Sequence, residues 1–303
     1  MPLQSASVER RAASGTSIRR ARPLLGTRVE IAAAADAAAV ELHHAVNEAF
    51  AVIERIERLM SYHDAQSELS RLNREAAVRP QRMHRDTCAV MRAALEFAAL
   101  SGGAFDPCVA LPLEDWGLLP QHGARLADPE ASWRDVEILD DGRVRFRRPL
   151  RLDLGGIAKG YAVDQAVRVL RRSGVRSILV NAGGDLRVAG EEGETVALRS
   201  PQMPAFMAHT IVLREAALAT SSACYSRRRV AGAEVSALLD PASRAPYTGG
   251  ASVSVRAADC MSADALTKIV LFADPPTAER ALRKFRAQAL VLQADSADYG
   301  LPA

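Results

Sequence analysis

The chain has 303 residues, 49% hydrophobic and 25% charged, with a formal net charge of +3. That length buries a large core in one domain or two intimate lobes, and no apolar run reaches the length of a membrane span. At 5% aromatic residues, the arginine-dense stretches lack the interleaved rings of a nucleic-acid surface and read as solvated faces.

Residues 1–21, rich in Ser, Ala and Arg, read as a disordered basic tail, with the folded domain over 22–303. No apolar run follows the arginine pairs Arg10-Arg11 and Arg19-Arg20, and no cysteine is set for lipid attachment. The expected location is therefore cytoplasmic, with export only from a different start site. The first strand is RPLLGTRVEIA, alternating at Val29 and Ile31 after a glycine turn. Ala37 to Met60 carries Val46, Ala49, Phe50, Ile53, Ile56 and Met60 on one stripe, the pattern of an amphipathic helix. In the polar loop that follows, Asp64 to Ser67 starts a short helix carrying Leu69 and Leu72. A second long helix runs from Asp86 to Leu100 and stops at Gly102-Gly103.

The stretch GGAFDPCVALPLEDWGLLP is too rich in Gly, Pro and isolated apolar residues for a regular element, and reads as an ordered wall. Asp141-Gly142 then joins two strands, Asp135 to Leu139 and Val144 to Phe146, in a hairpin. Past the central motif, SILVNAGGDLRVAG reads as strand, sharp turn and returning strand. Alternating runs at Thr195 to Leu198, Thr210 to Leu213, Ala216 to Thr220 and Ser252 to Val255 suggest antiparallel pairing. A helix from Ser262, another from Thr277 to Phe285 and a strand at Ala289 to Gln293 close the chain. The cysteines, Cys88, Cys108, Cys224 and Cys260, form no CxxC pair, so a zinc or redox motif has no support.

The most informative stretch is LDLGGIAKGYAVD, Leu152 to Asp164. It reads as a strand, a tight turn at Gly155-Gly156, and a helix with Ala162, Val163, Ala166, Val167 and Leu170 on its apolar side. Glycines let a ligand approach the backbone, first-turn amides have no partner within the helix, and Lys159 adds a positive charge. This is a phosphate pocket or, alternatively, a plain turn with a solvated lysine. Neither the Walker A spacing nor GxGxxG is present.

LGT (Leu25 to Thr27), MSYHDAQSELSRLN, GGAFDP with WG at Trp116-Gly117, LDLGGIAKGYAVD, NAGGDLRVAG, TSSACYS, LLDP (Leu238 to Pro241) and SADALTK (Ser262 to Lys268) follow one another. In that order they resemble the ApbE family of FAD:protein FMN transferases, over residues 22 to 295. The resemblance implies an α+β, two-lobed fold with mixed or antiparallel sheets and flanking helices. It implies FAD as substrate, Mg2+ as cofactor, and transfer of FMN to a Thr or Ser hydroxyl of a partner flavoprotein with release of AMP. Leu25, His63, Ala104, Phe105, Asp106, Gly155, Gly156, Lys159, Tyr161, Leu238 and Asp240 fall where the family contacts FAD. Ala158 (by its carbonyl) and Asp264 fall where it holds the metal. The alternative for Asp264 is a helix-terminal acid in the first turn of a helix that Ser262 can cap. Phe105 and Leu25 read equally as core.

Three departures stand out. The family's DALST reads DALTK here, which puts Lys268 at a metal-ligand position and Thr267 about 100° away around the helix. Lys268 forms a favourable i, i+4 pair with Asp264, and weakens or replaces the magnesium. The His of the family's HxxDP-like element is Ala237 in Ala237-Leu238-Leu239-Asp240, so the catalytic base is not identified. The flavin-stacking Tyr of an MSTY-like segment aligns with His63, with Tyr62 just before it; either ring could stack, and His63 could act as a base. The alternatives to transfer are FAD binding without chemistry, as a flavin carrier or inactive relative, and FAD hydrolysis to FMN and AMP.

Overall fold

A computed structural model describes residues 15–36, 38–123, 127–190, 192–203, 205–293 and 299–300. In chain order the strands are β1 (Thr16–Leu24), β2 (Thr27–Ala35), β3 (Gln81–Arg82), β4 (Val136–Ile138), β5 (Arg143–Phe146), β6 (Ser177–Ala182), β7 (Asp185–Gly190), β8 (Glu194–Arg199), β9 (Met207–Leu213), β10 (Ala216–Ser222), β11 (Arg228–Val230), β12 (Ala233–Val235), β13 (Ser252–Ala257), β14 (Gln288–Leu292) and β15 (Tyr299–Gly300). The helices are α1 (Ala39–Met60), α2 (Glu68–Glu75), α3 (Arg85–Leu100), α4 (Ala110–Asp115), α5 (Ala158–Arg172), α6 (Cys260–Phe272) and α7 (Pro275–Lys284).

An eight-stranded sheet, ordered β1-β2-β6-β7-β10-β13-β14-β15, carries the fold, and its pairings are antiparallel. Its centre is buried on both faces, as the run of six buried residues in β6 requires. On one face lies the main core, where α1, α5 and α6 bring Phe50, Ile53, Val163, Val167, Leu266 and Ile269 against Val180, Ala219 and Val255. On the other, the β8–β9 hairpin closes a smaller core with Val196, Leu198 and Leu213 over Leu179, Leu186 and Leu218. A second lobe gathers the three-stranded sheet β3-β5-β4 with α2, α3 and α4. The fold is α+β, with antiparallel sheets and flanking helices, as expected.

The apolar stripes place α1, α2, α3, α5 and α7 within a few residues of their predicted bounds. Several details differ. The first strand is two: β1 begins at Thr16, not Arg22, and turns back at Leu25 and Gly26, both with left-handed φ. Residues 16–21 belong to β1 in place of the expected tail because they pair along β2, with Arg19 on Glu30 and Arg22 on Glu54 as added ion pairs. The remainder of that tail, residues 1–14, lies outside the described residues. The wall segment contains α4, and β11–β12 forms a hairpin without a strong sequence signal.

The other two differences concern the site. Residues 151–154 belong to no strand, and Asp259 rather than Ser262 caps α6, accepting from the Ser262 N–H at 2.8 Å. Asp264 is thus in the second turn and not a helix-terminal acid. The α5–α6 crossing depends on Gly160, where a Cβ would lie 2.7 Å from the Met261 Cα and closer still to the Cys260 carbonyl. Neither backbone group has room to retreat, so Gly160→Ala is expected to cost ~1–3 kcal/mol or more of stability, read as a lower urea midpoint.

Candidate functional site

The central stretch is fixed from outside the sheets. Leu152 is held by a side chain acting as a strand partner: its N–H donates to Asn73 Oδ1 and its carbonyl accepts from Asn73 Nδ2, both at 2.9 Å. The Asp153 N–H donates to the Pro107 carbonyl at 2.8 Å, tying the stretch to the wall segment. The Asp153 carboxylate then accepts from the Gly155 N–H at 2.8 Å and folds the turn. Among the described residues no side chain caps the helix α5 that follows. The Ala158 N–H is taken by the Leu154 carbonyl at 2.8 Å and the Tyr161 N–H by that of Ile157, so the N–H groups of Lys159 and Gly160 and the positive dipole end are what the first turn offers a ligand.

Asp164, further along α5, holds α6 in place. Its two oxygens accept the N–H groups of Cys260 (3.0 Å) and Met261 (2.9 Å), and Arg187 adds an ion pair at 2.7 Å. Burial pushes its carboxyl up, against the opposing charge of Arg187. This junction sets Asp264 of α6 opposite Lys159 of α5.

The result is a buried cluster of charge. Asp264, 1% exposed, bonds the ammonium of Lys268 through Oδ1, and its Oδ2 lies 3.4 Å from the ammonium of Lys159. Lys268 also donates to the Asp264 carbonyl at 3.0 Å, and Lys159 pairs with Asp185 at the mouth of the NAGGD turn. Burial opposes the charge on Asp264, but the two ammonium groups outweigh it and hold its carboxyl below the usual range. Asp185 goes the other way: burial and the charge of Asp264 raise it. Burial pulls Lys159 down, yet Asp185 and Asp264 overcome it and keep the ammonium charged.

Beside the cluster, a cleft is walled by Ala104, Phe105 and Asp106 on one side and Leu238, Leu239 and Pro241 on the other, with Asp153, Gly156, Ala237 and Lys268 also lining it. A Cβ on Gly156 would lie 3.4 Å from Lys268 Cε and 3.6 Å from Phe105 Cε2, which places the Lys268 side chain and the Phe105 ring against the turn. Asp106 accepts from the N–H groups of Cys108 (2.8 Å) and Trp133 (3.4 Å), while burial raises its carboxyl. Burial also raises Asp153, against the Gly155 N–H and the charges of His63, Lys159 and Lys268.

Of the residues expected at the site, Ala104, Phe105, Asp106, Gly156 and Leu238 line the cleft, and Gly155, Ala158, Lys159 and Asp264 adjoin it through the turn and the charge cluster. His63 is exposed, and its charge bears on Asp153. Three others are engaged elsewhere. Leu25 forms the β1–β2 turn, its N–H donating to Glu57 at 2.8 Å. Asp240 closes a local turn by accepting from the Ala242 N–H and Ser243 hydroxyl. Tyr161 donates its hydroxyl to Asp86 at 2.9 Å, and burial and this bond push it up to about 12. Tyr62 is buried with its hydroxyl on Glu114 at 2.5 Å, which leaves His63 as the ring of that pair on the surface. Asp153 and Asn73 were missed as site residues. Asp153 stood in the motif beside the turn, whereas nothing local to Asn73 signals a bond made across the fold.

The donor set does not fit a divalent cation. Magnesium takes an octahedron of oxygens, whereas both Asp264 oxygens face ammonium groups and the position one turn on is Lys268. Thr267 turns its hydroxyl to Ser221 (2.7 Å) and the Asp264 carbonyl (2.7 Å). Among the described residues no group of three His, Cys, Asp or Glu is placed to hold a metal.

The placement of Tyr161 makes it a structural hydroxyl. Tyr161→Phe is expected to lower stability by about 1–2 kcal/mol, read as a lower urea midpoint.

Comparison with known proteins identifies the family and the fold. The sequence model of the ApbE family matches residues 25–291. The FAD:protein FMN transferase of Treponema pallidum is 28% identical over 279 residues, covering 82% of this chain and 76% of that protein. That of Vibrio cholerae is 27% identical over 235 residues, covering 71% and 69%. The crystal structure of the ApbE protein of Thermotoga maritima superposes with a TM-score of 0.82 at 26% identity, covering 94% of this chain and 97% of that one. The apo flavinyl transferase ApbE of Pseudomonas stutzeri shares the fold, with a TM-score of 0.77 at 23% identity over 99% and 96% of the two chains. With a match from the first hairpin to the last strand of the core, the chain belongs to the ApbE family.

Proposed function

We propose that the protein is an FAD:protein FMN transferase, moving FMN from FAD to a Ser or Thr hydroxyl of a partner flavoprotein and releasing AMP. The observation that carries this reading is the meeting of the Gly155-Gly156 turn, the α5 N-terminus and two ammonium groups beside one cleft. A glycine turn, a helix N-terminus and paired cations suit a pyrophosphate, the group in FAD that must be cleaved. Phe105 and Leu238 offer apolar walls for rings attached to it.

In the transfer, the acceptor hydroxyl oxygen forms a bond to the FMN phosphorus as the bridging P–O bond breaks, and AMP leaves with that bridging oxygen. Lys159 and Lys268 oppose the charge that gathers on the pyrophosphate oxygens. The hydroxyl proton needs an acceptor. Ala237 lines the cleft but has no titratable group; Asp153 lines the same cleft and does. We assign the proton to Asp153, whose carboxyl is lifted by burial and is a stronger base than an ordinary carboxylate.

A second reading, FAD binding without transfer, draws on Ala237 standing where the family resemblance places a histidine. Purified protein incubated with FAD and a candidate acceptor separates the two. Transfer yields AMP and an acceptor heavier by FMN less one water in the mass spectrum; intact FAD comigrating with the protein would support binding alone. Because Asp153 works ionised, the rate is expected to be lost as pH falls through its raised pKa, at a higher pH than an ordinary carboxylate would give. Asp153→Asn is expected to lower the rate by about 10²–10⁴-fold and to abolish that acid limb.

A further inference from the structure

We infer that Lys268 replaces a divalent cation at this site, so that the pyrophosphate is gripped by two ammonium groups and metal is excluded. The inference rests on the flavin-transfer reading for its ligand, and on the charge cluster alone for the exclusion of metal.

The geometry points this way on three counts. First, Asp264 is 1% exposed and both its oxygens are engaged, one by Lys268 and the other facing Lys159 at 3.4 Å. A cation reaching either oxygen would have to displace an ammonium or sit against one, and two like charges in contact in a buried place repel strongly. Second, the hydroxyl of Thr267 faces the interior and bonds Ser221, so sliding one residue along the helix supplies no replacement ligand. Third, Lys268 is anchored but still available to a ligand: its side chain is 15% exposed, lines the cleft, and lies near the Gly156 backbone. Asp264 then acts as a positioning residue. It keeps two ammonium groups charged in a buried place and holds that of Lys268 beside the glycine turn, where a metal-binding site would use its carboxylate as a ligand.

Two measurements on the full chain test this. In the first, Mn2+ is titrated into flavin-free protein and followed by electron paramagnetic resonance, which reads the metal site without relying on flavin chemistry. Wild type is expected to leave the Mn2+ signal that of the free ion, and Lys268→Thr to acquire one bound Mn2+, lost again in Lys268→Thr/Asp264→Asn. Stoichiometric Mn2+ binding by wild type, abolished by Asp264→Asn, would overturn the inference. In the second, FAD affinity is measured by flavin fluorescence in EDTA and in magnesium. Wild type is expected to bind equally in both. Lys268→Met is expected to lose about tenfold or more in both, as removal of one charged hydrogen bond implies. Lys268→Thr is expected to lose affinity in EDTA and regain it with magnesium. Wild-type affinity that collapses in EDTA, or Lys268→Met binding FAD as tightly as wild type, contradicts the inference. No FAD binding in either buffer would overturn the flavin reading and the proposed ligand together, and the Mn2+ titration would still decide whether Lys268 excludes the cation.

Discussion

Everything at the site depends on keeping four charges, Lys159, Lys268, Asp185 and Asp264, together in a largely buried place. Taking ions out of water is costly, and the cost is met only when each finds partners in good geometry. Here the partners come from different parts of the chain: Lys159 from α5, Asp185 from the β6–β7 turn, and Asp264 with Lys268 from α6. The rest of the fold can be understood as what holds those three elements at fixed separations.

Two contacts set the spacing between the helices. Gly160 allows α5 to pass against the first residues of α6, and Asp164 accepts the first two amides of that helix. The third element is fixed by the β1–β2 hairpin. Gly183, in the left-handed region, presses on Thr27, with a Cβ there 2.9 Å from Thr27 Cγ2, so the LGT turn buttresses the NAGGD turn from behind. LGT and the Gly-Gly turn thus belong to one structural unit although they are far apart in the chain. Within that unit the Leu25 N–H is tied to Glu57.

Much of this was legible in the residues themselves. Periodicity located the helices because each needs one continuous apolar stripe to cover a sheet, and Asp141-Gly142 located its hairpin because few residues accept that turn. The glycine turn and Lys159 were legible for the same reason: their chemistry is local. What escaped was non-local. Residues 151–154 look like a strand by composition, yet their hydrogen bonds go to the Asn73 side chain and the Pro107 carbonyl, partners that no window of sequence contains. The hydroxyls of Tyr161 and Tyr62 likewise find their partners, Asp86 and Glu114, on other helices. The cap of α6 was misplaced by three residues because Asp259 and Ser262 are both good caps, and only the start of the helix chooses between them.

The central claim, that a lysine does at this pyrophosphate what a divalent cation would otherwise do, is open to direct view. A crystal structure of the FAD complex grown with magnesium in excess shows which occupies the place. The account predicts Lys268 still bonded to Asp264, with its ammonium and that of Lys159 within hydrogen-bonding distance of the pyrophosphate oxygens. A Lys268 side chain swung away, with a six-coordinate ion between the Asp264 carboxylate and the phosphates, would contradict it.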